Sequence, residues 1–264
     1  YDNYAGSNIH YGIREFSMAA IANGMYLHGG VIPFVATFFV FSDYLKHAIR
    51  LSALMKLPVI YVMTHDSIGV GEDGPTHEPI EQLAAARAIP QSYTWRPADG
   101  HEVAAAYEFA LTADGPSVIA LSRQNLPLFE ETGKKALKGG YVLKDCDGTP
   151  DVILIGTGSE VELCVKAYEQ LKNEGIKARV VSMPCTELFD KQSDEYKQSV
   201  IPKEVRARIA VEAGCSFGWG KYVGLDGDTV TIDHFGASAP NGILFKEFGF
   251  TVENVVNKAK AVIK

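Results

Sequence analysis

The sequence lacks any CxxC pair. Its four cysteines, Cys146, Cys164, Cys185 and Cys215, stand well apart, with no histidine at zinc-like spacing. That argues against a disulfide framework or a zinc site and points to a reducing cytoplasm. Long apolar runs are missing too. The longest, near Val31 to Phe41, contains Pro33 and falls short of the roughly 20 residues a spanning helix needs. No positively charged segment precedes an apolar stretch at the start, so no secretory signal is expected; the first residue is Tyr1, not Met. Positive charge is also scarce: 25 Lys and Arg against 32 Asp and Glu leave a net charge of −7. Such a chain offers no field for nucleic acid or an anionic membrane. An anionic ligand would need a local cluster of cations. There are no repeats and no low-complexity tract.

What remains is ordinary globular material. The 264 residues are 47% hydrophobic and 22% charged, enough for one large domain or two modest ones. Strand-like and helix-like segments alternate. Strands are expected at 31–38, 58–64, 92–96 and 117–122, with helices at 42–56, 80–89 and 101–113 between them. On 42–56, Leu45, Ala48, Ile49, Ser52 and Met55 share one stripe. The β-branched runs are continuous, as suits strands buried on both faces of a parallel sheet. The polar stretch 131–150, with its Asp-Gly turn, reads as a linker. Beyond it come strands at 152–156, 178–183, 208–212 and 229–233 and a helix at 160–172, then a last helix that Thr251 could cap. The expected fold class is α/β, with two domains, 1–130 and 151–264, each a mostly parallel sheet flanked by helices.

Ligands of open α/β sheets sit beyond the carboxyl ends of the strands. Strand 31–38 ends in Phe38, followed by Phe39, Phe41 and Tyr44; strand 58–64 ends at His65 and the loop DSIGVGEDGPTHEP; strand 117–122 ends at Arg123. Together these suit a flat ring to be stacked and an oxyanion to be held. Singly, each has a plainer reading, as core, polar loop or surface charge. Glu15 begins a stripe with Met18, Ala19 and Ala22 in HYGIREFSMAAIANGM. A carboxyl group on a buried stripe costs several kcal/mol unless paired, so it is either a proton-handling group in a dry pocket or an exposed partner of Arg14. The run GTGSE at 156–160 follows a strand and opens a helix like a phosphate cradle, but has no third glycine. It reads as a tight turn with Ser159 near the cap.

Several segments resemble transketolase: HYGIREFSM, GEDGPTHEPIEQ, TWRPAD, SRQNLP, GGYVLKDC, GTGSEVEL, VSMP and FGFTVENVV, in that order, from about Asn8 to the end. GEDGPTH with a proline two residues on is the most specific. The resemblance implies a homodimeric thiamine diphosphate enzyme moving a two-carbon ketol unit between sugar phosphates. It covers most of the family's pyrimidine-binding domain and all of its carboxyl-terminal domain. The family's diphosphate-binding domain, which binds Mg2+ or Ca2+, has no counterpart in these residues. The chain alone is therefore expected to be inactive, to hold no metal, and to need that domain or subunit as a partner. By motif, Glu15 matches the glutamate that hydrogen-bonds the cofactor's aminopyrimidine. Phe38 matches the ring that stacks on it, with Phe41 and Tyr44 completing the pocket. Asp73 matches the reader of a substrate hydroxyl, His77 a proton-transfer group near the reacting carbons, and His65 and Arg123 the holders of substrate phosphate. Dihydroxyacetone synthase shares this chemistry. A β-type subunit of a 2-oxoacid dehydrogenase shares the domain order but is not expected to carry His65, His77 and Arg123. Deoxyxylulose-phosphate synthase resembles THQG where this chain has THEP. A non-catalytic interaction subunit is the reading from another class.

Overall fold

The computed structural model describes residues 6–263; residues 1–5, where the first expected domain begins, and Lys264 lie outside the described residues. The chain enters through α1 (Glu15–His28), β1 (Phe34–Phe38) and a 3-10 turn (Phe39–Phe41) that leads into α2 (Ser42–Leu54). There follow β2 (Ile60–Thr64), α3 (Gln82–Arg87), β3 (Tyr93–Trp95), α4 (Gly100–Ala110) and β4 (Ser117–Leu121). These four strands form one parallel sheet in the order β1-β2-β4-β3. The predicted stripe of α2 is buried at Leu45, Ala48, Ile49 and Ser52; Met55 falls beyond the helix and is exposed. α2 packs on α1, whose Met18, Ala19 and Ala22 are buried.

The second sheet is built from β5 (Tyr141–Lys144), β6 (Val152–Gly156), α5 (Glu160–Asn173), β7 (Ala178–Ser182), α6 (Thr186–Asp190) and α7 (Asp194–Val200). It continues with β8 (Arg208–Val211), α8 (Gly220–Val223), β9 (Asp228–Val230), α9 (Asn241–Glu247) and α10 (Val252–Val262). Its order is β5-β7-β6-β8-β9, parallel except for β5, which runs antiparallel on β7. Segment 131–150 thus does more than connect, because it supplies this edge strand. α10 starts at Thr251, whose hydroxyl accepts the Asn254 N–H at 3.2 Å, and it buries Val255, Val256 and Ala259 against α5.

The two sheets share one hydrophobic core. A continuous cluster runs from Ile119, Trp95 and Ala106 of the first through Tyr141 and Leu154 to Val256 of the second. Polar groups stitch the same boundary. Arg87 forks onto Glu212 with both bonds at 2.7 Å, and Glu212 also accepts from Thr157 and the Trp219 indole. Burial works to raise the Glu212 carboxyl, but Arg87 and its hydrogen bonds outweigh it and hold the group down at about 2. Glu102 on α4 accepts from Tyr141, Ser182 and the Ala98 N–H. The four cysteines are free.

Candidate active site

Strand register brings several of the expected site residues to one rim. Phe38, Thr64 and Leu121 stand abreast at the carboxyl ends of β1, β2 and β4, so the residues that follow them share one rim. The rings there form a connected set. His65 lies flat on Phe38, centroids 3.6 Å apart and planes 20° from parallel. Phe38 leads to Phe41 at 6.2 Å and Phe41 to Tyr44 at 6.1 Å. His77 points its edge at Phe41, 5.5 Å away, and at Phe38, 6.5 Å away. Phe38 and Phe41 are half-buried and Tyr44 is exposed, so flat apolar surface is left to a ligand.

His65 adopts a left-handed backbone, φ 61°, uncommon outside glycine and tolerated better by histidine than by bulkier residues. That turn swings the imidazole back over Phe38. Burial lowers the His65 pKa and the Arg123 charge lowers it further, against weaker opposing pulls from Asp73 and Asp66. Arg123 and Asp73 are therefore electrostatic neighbours of His65, both exposed. Burial and the Arg123 charge both favour the neutral ring, which can donate one hydrogen bond and accept another. Thr64 pairs with its Nδ1 at 2.9 Å, as Thr76 does with Nδ1 of His77.

The loop carrying Asp73 and His77 is shaped by a 3-10 turn at Ile68–Val70, capped by the Ser67 hydroxyl, and by two glycines at positive φ, Gly71 and Gly74. The second half of the chain backs it: the Ser238 hydroxyl donates to the Glu72 carbonyl, and a Cβ on Gly74 would come 3.1 Å from that of Ser238. Glu15 is not drawn into the ring set. It is half-buried in the first turn of α1 and, among the described residues, has no hydrogen-bond partner. The alternative pairing with Arg14 does not form, since that guanidinium donates to the Tyr11 carbonyl. Among the described residues no three His, Cys, Asp or Glu side chains group as metal ligands.

Three residues of this neighbourhood were not singled out from the sequence. Asp66, one residue past His65, accepts from Arg96 Nε at 2.9 Å and from the Ser122 hydroxyl at 3.0 Å. Arg96, fully buried, crosses to the second half and donates to the Thr157 carbonyl and hydroxyl and to Glu160. Glu78, next to His77, is buried with neither oxygen hydrogen-bonded. The signal for Arg96 was a charge between Trp95 and Pro97 at a strand end. The GTGSE turn, which looked like a phosphate cradle, seats this guanidinium instead: a Cβ on Gly158, itself at φ 52°, would lie 2.8 Å from Arg96 Cζ.

Comparison with known proteins identifies a family for the chain. Residues 1–128 match the transketolase pyrimidine binding domain, and residues 139–251 match the transketolase-like TK C-terminal domain. Transketolase of Halalkalibacterium halodurans is 57% identical over all of this chain, which covers 40% of that protein. A solved transketolase from Leishmania mexicana superposes with a TM-score of 0.93 at 46% identity, over 97% of this chain and 38% of that one. A chain described as a split gene transketolase, inactive beta4 tetramer, superposes with a TM-score of 0.79 at 26% identity; this chain covers 82% of it. The chain thus spans about 40% of the length of the curated relatives it matches.

Proposed function

The chain belongs to the transketolase family, and from that premise we propose that it forms the pyrimidine side of a thiamine diphosphate site transferring a two-carbon ketol unit between sugar phosphates. The observation that carries this is the rim where Phe38, Thr64 and Leu121 stand in register, with aromatic rings on one strand and His65 and Arg123 beyond the other two. The described residues fit the ring portion of the cofactor: Phe38 already accepts a flat heteroaromatic ring, the His65 imidazole, at stacking distance. The cofactor's other half is its diphosphate with a metal, Mg2+ or Ca2+. Those fall to a diphosphate-binding domain or subunit, without which these 264 residues are inactive.

When bound, thiamine diphosphate supplies the carbon nucleophile. This chain's residues act on the pyrimidine ring and the substrate. Phe38 stacks on the pyrimidine, and Phe41 and Tyr44 wall it from water. Glu15 holds the proton at the pyrimidine ring nitrogen. Asp73 accepts from a substrate hydroxyl, His77 moves a proton at the reacting carbons, and neutral His65 with cationic Arg123 holds the substrate phosphate. The pyrimidine-side domain occupies 1–130 and the carboxyl-terminal domain 151–264, the connecting segment 131–150 lending the second its edge strand β5. The assembled enzyme is a homodimer of the pentose phosphate pathway in the cytoplasm, in keeping with four unpaired cysteines. Hydrogen–deuterium exchange at cofactor C2 in the assembled enzyme tests the reading. Glu15→Ala removes most of the exchange while the fold stays intact; unchanged exchange refutes the assignment.

A further inference from the structure

Sheet order makes neighbours of β2, β4 and β3. Just past these strands stand Asp66, Ser122 and Arg96 respectively, the first and last buried and Ser122 half-buried, and Asp66 bonds to both of the others. Asp66 Oδ2 takes both the Arg96 Nε–H at 2.9 Å and the Ser122 hydroxyl at 3.0 Å. Asp66 is 1% exposed and Arg96 fully buried. A single carboxylate oxygen therefore ties three strand ends together. Two of its members adjoin rim residues in sequence: Asp66 follows His65, and Ser122 precedes Arg123. The tie leaves little freedom in how far apart the two rim residues stand.

The other end of Arg96 is anchored outside the first sheet. Nη1 donates to the Thr157 carbonyl and hydroxyl, each at 3.0 Å, and pairs with Glu160. Glu160 is braced in turn by the Ala213 N–H at 2.7 Å and by the Ser159 hydroxyl. Arg96 N–H also bonds the Pro184 carbonyl at 2.8 Å, and its carbonyl accepts the Gly158 N–H. An ordinary strand-end contact would not need a fully buried guanidinium spanning two sheets. The desolvation it incurs is offset only while every partner stays in place.

We propose that Asp66, gripped by Arg96, is a positioning residue that sets the spacing of His65 and Arg123, and that the carboxyl-terminal half of the chain acts on substrate phosphate through this arginine. The inference rests on the phosphate-holding role given above to His65 and Arg123. It assigns the second half a definite part in recognition.

The test uses the assembled enzyme and compares KM for a phosphorylated ketose with KM for an unphosphorylated ketol donor. Arg123→Ala is the reference and raises the ratio of the two if the phosphate reading holds. Asp66→Asn is then expected to raise the same ratio about tenfold, and Ser122→Ala, which buries no unpaired charge, several-fold. Added to Arg123→Ala, Asp66→Asn is expected to change the ratio by less than twofold, because residues that act through one another are not additive. Should Asp66→Asn fail to fold, Ser122→Ala and Arg96→Lys carry the comparison. If Arg123→Ala shifts the ratio while Ser122→Ala and the Asp66 or Arg96 variants leave it unchanged, or if their effects add fully to it, positioning is overturned and the phosphate reading stands. If Arg123→Ala itself leaves the ratio unchanged, the phosphate reading fails, and the inference with it.

Discussion

Glu78 lies buried beside the rim with no side-chain partner and only a poorly aligned approach from the Ala237 backbone N–H, close enough to Gly236 that a Cβ there would come 1.7 Å from Oε2. Burial pushes its carboxyl up to about 7, against a weaker downward pull from the Ala237 backbone. The unfolded group releases its proton near 4.5, the folded one near 7. Its contribution to stability is therefore complete below the lower value and is lost as pH rises through the upper. Glu78→Gln, which keeps the shape and has no proton to lose, is expected to raise the melting temperature at pH 8 and leave it nearly unchanged at pH 4. Equal shifts at both pH values would mean packing, not protonation. At Arg123, a charge-assisted bond to phosphate is worth about 1.5–3 kcal/mol. Arg123→Ala should therefore weaken phosphorylated substrates by roughly ten- to a hundredfold, measured as KM or as inhibition by inorganic phosphate. The rim rings and His65 were legible in the sequence because strand ends advertise themselves. Asp66 and Arg96 were not, because their partners stand 30 to 64 positions away in the sequence, and Glu78 was not, because what buries it includes Gly236, far along the chain.

Elements with a strong period were legible for the reason that makes them stable. α2, α5 and α10 each bury one stripe, and β2, β4 and β6 are mostly apolar runs buried along nearly their whole length. β5 escaped notice because its four residues alternate buried and half-buried among glycines and charges, a pattern shared with turns. α6, α8 and α9, of five, four and seven residues, are too short to show a stripe. The cap of α10 was visible, and its energy can be checked. Losing the Thr251 side-chain bond typically costs about 1 kcal/mol. Thr251→Ala should lower the urea midpoint accordingly, with Thr251→Ser close to the parent. A parent-like midpoint for the alanine variant would show that burial of Val255, Val256 and Ala259 alone holds the helix.

Across the whole molecule, apolar exposure is uneven. Ile13, Phe16, Ile21, Leu27, Val31, Ile32 and Phe34 are all exposed and precede residue 35, and β1 beside them is an edge strand. A surface of this kind seeks cover. The 264 residues are expected to self-associate as a dimer, and sedimentation equilibrium across a concentration range checks this; a monomer mass at every concentration would show the surface insufficient. The boundary between the halves has the opposite character, with a shared core and charges that cannot be separated without leaving Arg87, Arg96, Glu160 and Glu212 bare. Removing one partner of such a pair while the other stays buried costs on the order of 3–5 kcal/mol. The peptide bond joining the halves is then dispensable to their union. A protease nick near Glu130 should give two bands under denaturing conditions and one peak in native gel filtration, parting only when acid begins to neutralise Glu212.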